Sequence, residues 1–566
     1  HNQGLLQGNV VLGTSLLDMY ANCHALGKAQ EVFDNLPSRD VVSWNALISG
    51  YIQHGHFDIA LNCFQHMQDE GISANETTFS CILKACGSME YLEMGEQIHA
   101  QVRKRGLMGK NIILDNSIID MYVKCQMLGK AEDVFNEIPI RDIVTWNLLI
   151  SGYSRHGSCE EAISRFVQMR DEGVIPDSIT FICMLRACAN GGFLKMGEKL
   201  HNEVMKQGLL QNDVLLGTAL VDMYAKCNVM EKAQEIFDQL HIRNVATWNA
   251  LISGYTNNGL GKEALNYFEQ MQDEAFSPNS VTFLCGLKAC ASLGCLEMGE
   301  RIHAEVRKQG LLEKDILLGA AIIDMYAKCR MLGKAQEVFK ILPTWNISCW
   351  SSLIEGYLEH GMLYEALNCV MQMKGKGLFP KVSTFGSILQ VCGSLGCLDI
   401  GEEIHAMVKK HGLLANDTVL GTALLHMYCK CGALGKAEEV FDELPIKTLP
   451  CWTALMTGYA QLGQARRVLD VFNMMIGEGI LPDLVTFLVV LNACSHGGLL
   501  DDGQKLFENM DSVYSLTPKT EHCTCMVDLF GRAGHFDKAM VVIEKVPFSQ
   551  RLQLWLSILN SCSKRI

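Results

Sequence analysis

Long apolar runs are missing from this 566-residue chain. No window of 18 or more uninterrupted apolar residues occurs, and the most apolar stretch, Leu484 to Cys494 (LVTFLVVLNAC), is too short and too polar to cross a bilayer, which excludes a membrane span. Positive charge is not in excess either. Against 62 acidic residues stand 48 Lys and Arg, a formal charge of −14, which argues against a nonspecific polyanion binder and makes any nucleic-acid contact depend on local charge. The 24 Cys form no closely spaced framework of the secreted kind and read as reduced, packed thiols. No C-x-x-C pair, P-loop, dinucleotide fingerprint or Ser/His/Asp elbow is present. The N-terminus, HNQGLLQGNVV, lacks an initiator Met, a basic n-region, an apolar h-region and a transit-peptide composition, so it reads as an internal segment of a longer protein. What the chain does have is 49% hydrophobic and 19% charged residues, enough to bury a large core as several domains or one long array.

Self-similarity decides for the array. Trp44, Trp146, Trp248, Trp350 and Trp452 recur at a spacing of 102 residues, as do Met19, Met121, Met223, Met325 and Met427. Cys86, Cys188, Cys290, Cys392 and Cys494 keep the same interval, and so do His99, His201, His303 and His405. Each period divides into units of 31, 35 and 36 residues, for example 112–142, 143–177 and 178–213. Within a unit, Trp146, Leu149, Ile150 and Tyr153 share a helical face; a break follows near Gly157; then Ala162, Phe166 and Met169 mark a second amphipathic helix that stops before Pro176. A hairpin of this size cannot bury its apolar face alone, so sixteen complete units, about 32 helices, are expected to stack into an all-α solenoid.

The phrases VVSWNALISGY (Val41 to Tyr51), TALVDMYAKC (Thr218 to Cys227) and CMVDLFGRAGHFDKA (Cys525 to Ala539) resemble pentatricopeptide repeats of the plant PLS class, in which S, P and L units alternate; the resemblance covers essentially the whole chain. It implies a right-handed α-solenoid superhelix. The segments are then 1–9, the end of a preceding L unit; 10–519, five S-P-L triplets; 520–551, a final S unit; and 552–566, the start of an E-like region. Such a solenoid reads single-stranded RNA with one unit per nucleotide, because unstacked bases expose their Watson–Crick edges to two or three side chains per repeat.

The family directs attention to the fifth and last residue of each unit. The fifth is Asn45, Asn147, Asn249, Ser351 and Thr453 in P units and Thr14, Asn116, Thr218, Ala320, Thr422 and Thr524 in S units; all but Ala320 are Asn, Ser or Thr. Helix capping is the other use of these residue types and stays open at this point. Carried over pair by pair, Asn116/Asp142 and Asn147/Asp177 favour U; Asn45/Asn75 and Asn249/Asn279 favour C; Thr14/Asp40 and Thr453/Asp483 favour G; Thr218/Asn244 favours A. Ser351/Lys381 and Thr422/Thr448 indicate a purine, while Ala320/Asn346 and Thr524/Arg551 depart from the pattern. In L units the fifth residue is Ser80, Ile182, Leu284, Gly386 and Leu488, mostly apolar, so these units read as spacers. The implied target is 5′-GCnUUnACnnRnRGn-3′. Second-position Val11, Val42, Ile113, Val144 and Leu215 either form slabs between bases or pack at helix starts. Lys28, Lys130, Lys232, Lys334 and Lys436 repeat on one line, as do Lys104, Lys206, Lys308 and Lys410; each line is either a basic stripe for backbone contacts or a solvated face.

Relatives of the PLS class often serve C-to-U editing of organelle transcripts, and many carry a DYW deaminase with an H-x-E motif and a P-C-x-x-C pair. Here His201-Asn202-Glu203 and His303-Ala304-Glu305 match the first motif, but His99 and His405 break it at the same register, and Pro450-Cys451 has Ala454 where the second Cys belongs. His522-Cys523-Thr524-Cys525 and Cys429-Lys430-Cys431 lack a partner pair at metal-site spacing. The expectation is therefore no catalytic residue, no metal, no cofactor and no membrane contact. The partners expected are a single-stranded organellar transcript and a deaminase-carrying or other editing-complex protein, in a mitochondrion or chloroplast. A splicing or stability factor uses the same repeats, and a protein-interaction scaffold is the rival from another class.

Overall fold

The computed structural model describes residues 10–211, 213–415, 417–544, 546–547, 551–552, 554–556 and 558. Among these residues, 32 α-helices pair into sixteen helical hairpins, two short 3-10 turns join others, and no strand occurs, giving an all-α solenoid. The chain divides into two compact units, His1–Ala289 and Cys290–Ile566.

The apolar spacing read from the sequence is the packed face. In the hairpin of Ile143–Arg155 and Cys159–Asp171, Trp146, Leu149, Ile150, Tyr153, Ala162, Phe166 and Met169 are all buried. The turn passes through Gly157 at φ +81°, and Ser158 N–H closes it on Tyr153 C=O at 3.0 Å. His24, Glu90, Gln126, Asn228 and Arg330 take the same left-handed position in other hairpins, so packing of the two helices imposes the turn even without glycine.

First helices stack on first helices in each unit: Glu76–Met89 on Ile112–Lys124 and Ser178–Gly191 on Val214–Lys226, then Ile316–Lys328 on Ile347–Glu359 and Val382–Leu395 on Thr418–Lys430. Small residues permit the approach. A Cβ on Gly254 would lie 2.6 Å from Ala225 Cβ, and one on Gly356 2.5 Å from Ala327 Cβ. Second helices stand further apart and are bridged by long charged side chains: Arg103 reaches Glu137 at 2.6 Å, Arg170 reaches Glu203 at 3.1 Å and Lys409 reaches Glu443 at 2.6 Å. The close row of first helices is thus the inner side of each unit.

This arrangement favours the solvated face over the basic stripe for four of the five lysines of the first line. Lys130, Lys232, Lys334 and Lys436 sit on second helices, each in an ion pair with a glutamate 34 residues earlier, Glu96, Glu198, Glu300 and Glu402. The 102-residue period places them on one line, but it reveals neither which side that line occupies nor that an equally periodic glutamate neutralises it. The final hairpin comprises Thr520–Ala533 and Phe536–Glu544; the expected segment 1–9 and most of 552–566 lie outside the described residues.

Candidate nucleic-acid interface

The last residue of most S and P units caps the first helix of the next unit. Asp40, Asn75, Asp142, Asp177, Asn244, Asn279, Asn346 and Asp483 each accept a backbone N–H three residues on, at 2.8 to 3.1 Å. The last residue, which the sequence marks as a candidate reading position, is therefore also a cap. The fifth residue lies inside its own helix and does not cap it. It faces the cap of the neighbouring hairpin, because first helices stack.

Four pairs meet directly. Asn147 Nδ2 donates to Asp177 Oδ1 at 3.0 Å, Asn45 to Asn75 Oδ1 at 3.0 Å, Asn249 to Asn279 Oδ1 at 3.0 Å and Asn116 to Asp142 Oδ1 at 3.4 Å. A threonine bridges each pair. Thr180 Oγ1 donates to Asn147 Oδ1 at 2.7 Å, and Thr78, Thr145 and Thr282 do the same for Asn45, Asn116 and Asn249. These buried threonines escaped the sequence reading, although their place just before Phe79, Trp146, Phe181 and Phe283 was a visible signal.

Three protein hydrogen bonds to Asp142 and three to Asp177, from the asparagine amide, a backbone N–H and the threonine hydroxyl, end on Oδ1. In Asn75 and Asn279 the same three bonds again require an oxygen, which fixes the amide orientation and turns Nδ2 away from the cap. One scaffold thus presents an acceptor when the last residue is Asp and a donor when it is Asn. Burial pushes the Asp142 and Asp177 carboxyls up, but the threonine and asparagine hydrogen bonds outweigh it and hold both below the ordinary carboxylate range. The fifth-position amides show little surface: Asn147 is 7% and Asn249 9% exposed, so only one edge of each is reachable.

The threonine units are built differently. Thr14, Thr218, Thr422, Thr453 and Thr524 each turn the hydroxyl back to the carbonyl four residues earlier, at 2.8 to 2.9 Å. Thr218 also meets Thr247 at 2.8 Å, and Thr453 meets Thr486 at 3.4 Å, so Asn244 and Asp483 are reached through a bridging hydroxyl. Thr422 and Thr448 both approach the Cys451 thiol at 3.3 Å. Ser351 receives the Thr384 hydroxyl at 3.4 Å, while Lys381 caps nothing. Ala320 is buried and has no polar group to offer beside Asn346. Arg551 donates to the carbonyls of Val546 and Glu544 rather than toward Thr524.

Second-position side chains stand in solvent: Val11, Val42, Ile113, Val144 and Leu215 are between 49% and 75% exposed, which removes helix-start packing as their role. The fifth residues of the L units, Ser80, Ile182, Leu284, Gly386 and Leu488, are half-buried.

The clusters that resemble metal sites have structural partners. His201 and His303 each place Nδ1 3.0 Å from a tyrosine hydroxyl, Tyr224 and Tyr326, while Glu203 is held by Arg170. Burial pushes the thiols of Cys86, Cys188, Cys290, Cys392 and Cys494 up to about 12, which makes them packing groups. No group of three or more His, Cys, Asp or Glu is placed to hold a metal ion among the described residues.

Models of known families match along the chain. The PPR repeat family matches residues 39–88, 141–190, 243–292 and 447–496; the pentatricopeptide repeat domain matches 344–394; and the PPR repeat matches seven further stretches from 116–143 to 521–547. Among Arabidopsis thaliana proteins, the mitochondrial pentatricopeptide repeat-containing protein At2g03380 is 33% identical over 558 residues, 98% of this chain and 80% of its own length. At2g33680 is 36% identical over 553 residues, with 97% and 75% covered. The chloroplastic At1g15510 is 33% identical, and the chain spans 63% of it. Among solved structures, PPR10 from maize superposes with a TM-score of 0.61 at 18% identity, covering 96% of this chain and 84% of that one. PPR10 in complex with an 18-nt psaJ RNA element superposes with a TM-score of 0.57 at 17% identity. Hairpin geometry, family models and relatives agree: the chain belongs to the pentatricopeptide repeat family.

Proposed function

We propose that the inner row of first helices binds a defined single-stranded RNA, one hairpin per nucleotide, with the fifth and last residues as reading heads. The observation that carries the reading is the change of outward atom on an unchanged cap. Asp177 leaves an oxygen that suits the N3–H of U, and Asn279 leaves an amide that suits the N3 acceptor of C, while fold and capping stay the same. Exposed second-position side chains supply apolar faces for bases to lie against. The PPR10 neighbour, solved in complex with an 18-nt psaJ RNA element, supports RNA as the ligand.

The finer reading is a PLS-class recognition factor for organellar C-to-U editing, with a deaminase supplied by another domain or in trans. The mitochondrial and chloroplastic names of the relatives support an organelle as its compartment. The test is binding to 5′-GCAUUAACAAGAGGA-3′ beside a composition-matched scramble. Tight binding with the scramble at least about tenfold weaker, roughly 1.4 kcal/mol, is expected. Asn147→Thr with Asp177 kept then shifts preference at the fifth nucleotide from U to G. Equal affinity for every base there, in both proteins, would sink the reading.

A further inference from the structure

The segment 374–381, from the last turn of Leu363–Gly375 to the start of the next helix, departs from its four siblings in a way that points to a ligand. Lys376 stands where Glu70, Glu172, Glu274 and Glu478 stand in the other P hairpins, and Lys381 where Asn75, Asp177, Asn279 and Asp483 stand. Lys374 adds a third cation in an otherwise acidic chain. All three are exposed, and among the described residues none is in an ion pair, whereas Lys130, Lys232, Lys334 and Lys436 on other second helices are neutralised.

The change is accommodated rather than tolerated. In three siblings an arginine binds the glutamate: Arg39 to Glu70 at 2.7 Å, Arg141 to Glu172 at 3.3 Å and Arg243 to Glu274 at 3.6 Å. Here Trp345 replaces the arginine, stacks on Phe339 at 5.7 Å, and takes the Lys376 ammonium 3.4 Å from its ring centroid. The joint survives with its charge inverted. At Lys381 the helix Val382–Leu395 starts without a side-chain cap, giving up about 1 kcal/mol that an Asp or Asn would supply. Local rules broken in this way are expected at functional or strained positions. Beside the loop, the Phe379 ring is 37% exposed and lies 4.0 Å from that of His411.

We propose that Lys374, Lys376 and Lys381 form a phosphate-binding site for the RNA backbone where the strand passes the Ser351 hairpin. The inference rests on the RNA reading above. Lys381 occupies the register of the last residue, beside the groove, but a cation on a flexible stem with no acceptor suits a phosphate better than a base edge. The site anchors the strand at a hairpin whose own reading side chain, Ser351, is short and buried.

The test is a salt series on the full chain with the designed RNA, comparing wild type with a K374Q/K376Q/K381Q variant and with the sibling-like pair Trp345→Arg and Lys376→Glu, which restores the joint found elsewhere. Single-strand binding loses about 0.7 of the log–log salt slope per phosphate contact removed, so the triple variant is expected to lower the slope by roughly 2 and the affinity by about tenfold or more at low salt. Base preference opposite Ser351 and opposite Asn147 stays as in wild type. An unchanged slope with the Asn147 preference intact would overturn the site while leaving RNA reading in place, and would assign the cations to an acidic protein surface. A changed base preference opposite Ser351 with an unchanged slope would overturn it too, making Lys381 a base reader. Wild type that ignores sequence yet loses slope in the variant would keep the site and remove the reading.

Discussion

At the residue scale, the working contrast is between Asp and Asn on one cap. Both satisfy the same N–H and the same threonine hydroxyl, so exchanging them costs little structure and inverts the hydrogen bond offered outward. The identities and spacing of these residues were legible in the sequence, because they interrupt an otherwise repeated text. Their geometry was not: the cap and the proposed reader are one residue, and the bridging threonine looked like part of the background. The buried histidines carry a separate consequence. His99, His201, His303 and His405 each meet a tyrosine hydroxyl, and burial, with Arg103 beside His99, pushes their pKa values down. A folded-state value below the unfolded one, about 6.5, means that the unfolded chain binds protons first as pH falls. Stability from these sites is full above about pH 6.5 and drains away below it. Urea midpoints should therefore fall from pH 7.5 to 5.5, and a His99→Gln, His201→Gln, His405→Gln variant should show a flatter profile. Asp142 and Asp177 act in the same direction at lower pH, their contribution being lost as pH falls below the ordinary carboxylate range.

At the scale of the element, hairpins are held by small residues inside and charged bridges outside. Both helices, their apolar faces and the breaks between them followed from periodicity, since burial at 3.6-residue spacing leaves few alternatives. The side facing inward did not follow, because it depends on which helices approach closely, and that is set by glycines such as Gly254 and Gly356 against Ala225 and Ala327. A Gly254→Ala variant puts a methyl 2.6 Å from Ala225 Cβ, so the hairpins must separate. Overpacking of this kind costs about 1–3 kcal/mol, readable as a lowered urea midpoint. Gly157→Ala meets no atom, and its cost comes only from φ +81°.

At the scale of the whole molecule, which carries a net charge of −14, the periodic lysines Lys130, Lys232, Lys334 and Lys436 are taken up by outer ion pairs. Exposed pairs of this type are worth about 0–1 kcal/mol each. Replacing Lys130, Lys232, Lys334 and Lys436 with Gln is expected to leave RNA affinity and its salt slope unchanged while lowering stability slightly. A fall in the slope by more than about 1 would place the outer lysines on the RNA after all.

Each reading pair straddles a joint: Asn147 belongs to one hairpin, whereas Asp177 and Thr180 open the next. A unit transplanted by cutting at its first and last residues, 143 and 177, would thus carry Asn147 and Asp177 but leave behind Thr180, which bridges them. Exchangeable cassettes of this chain begin and end within second helices, so that every fifth residue travels with the cap and threonine it was built against.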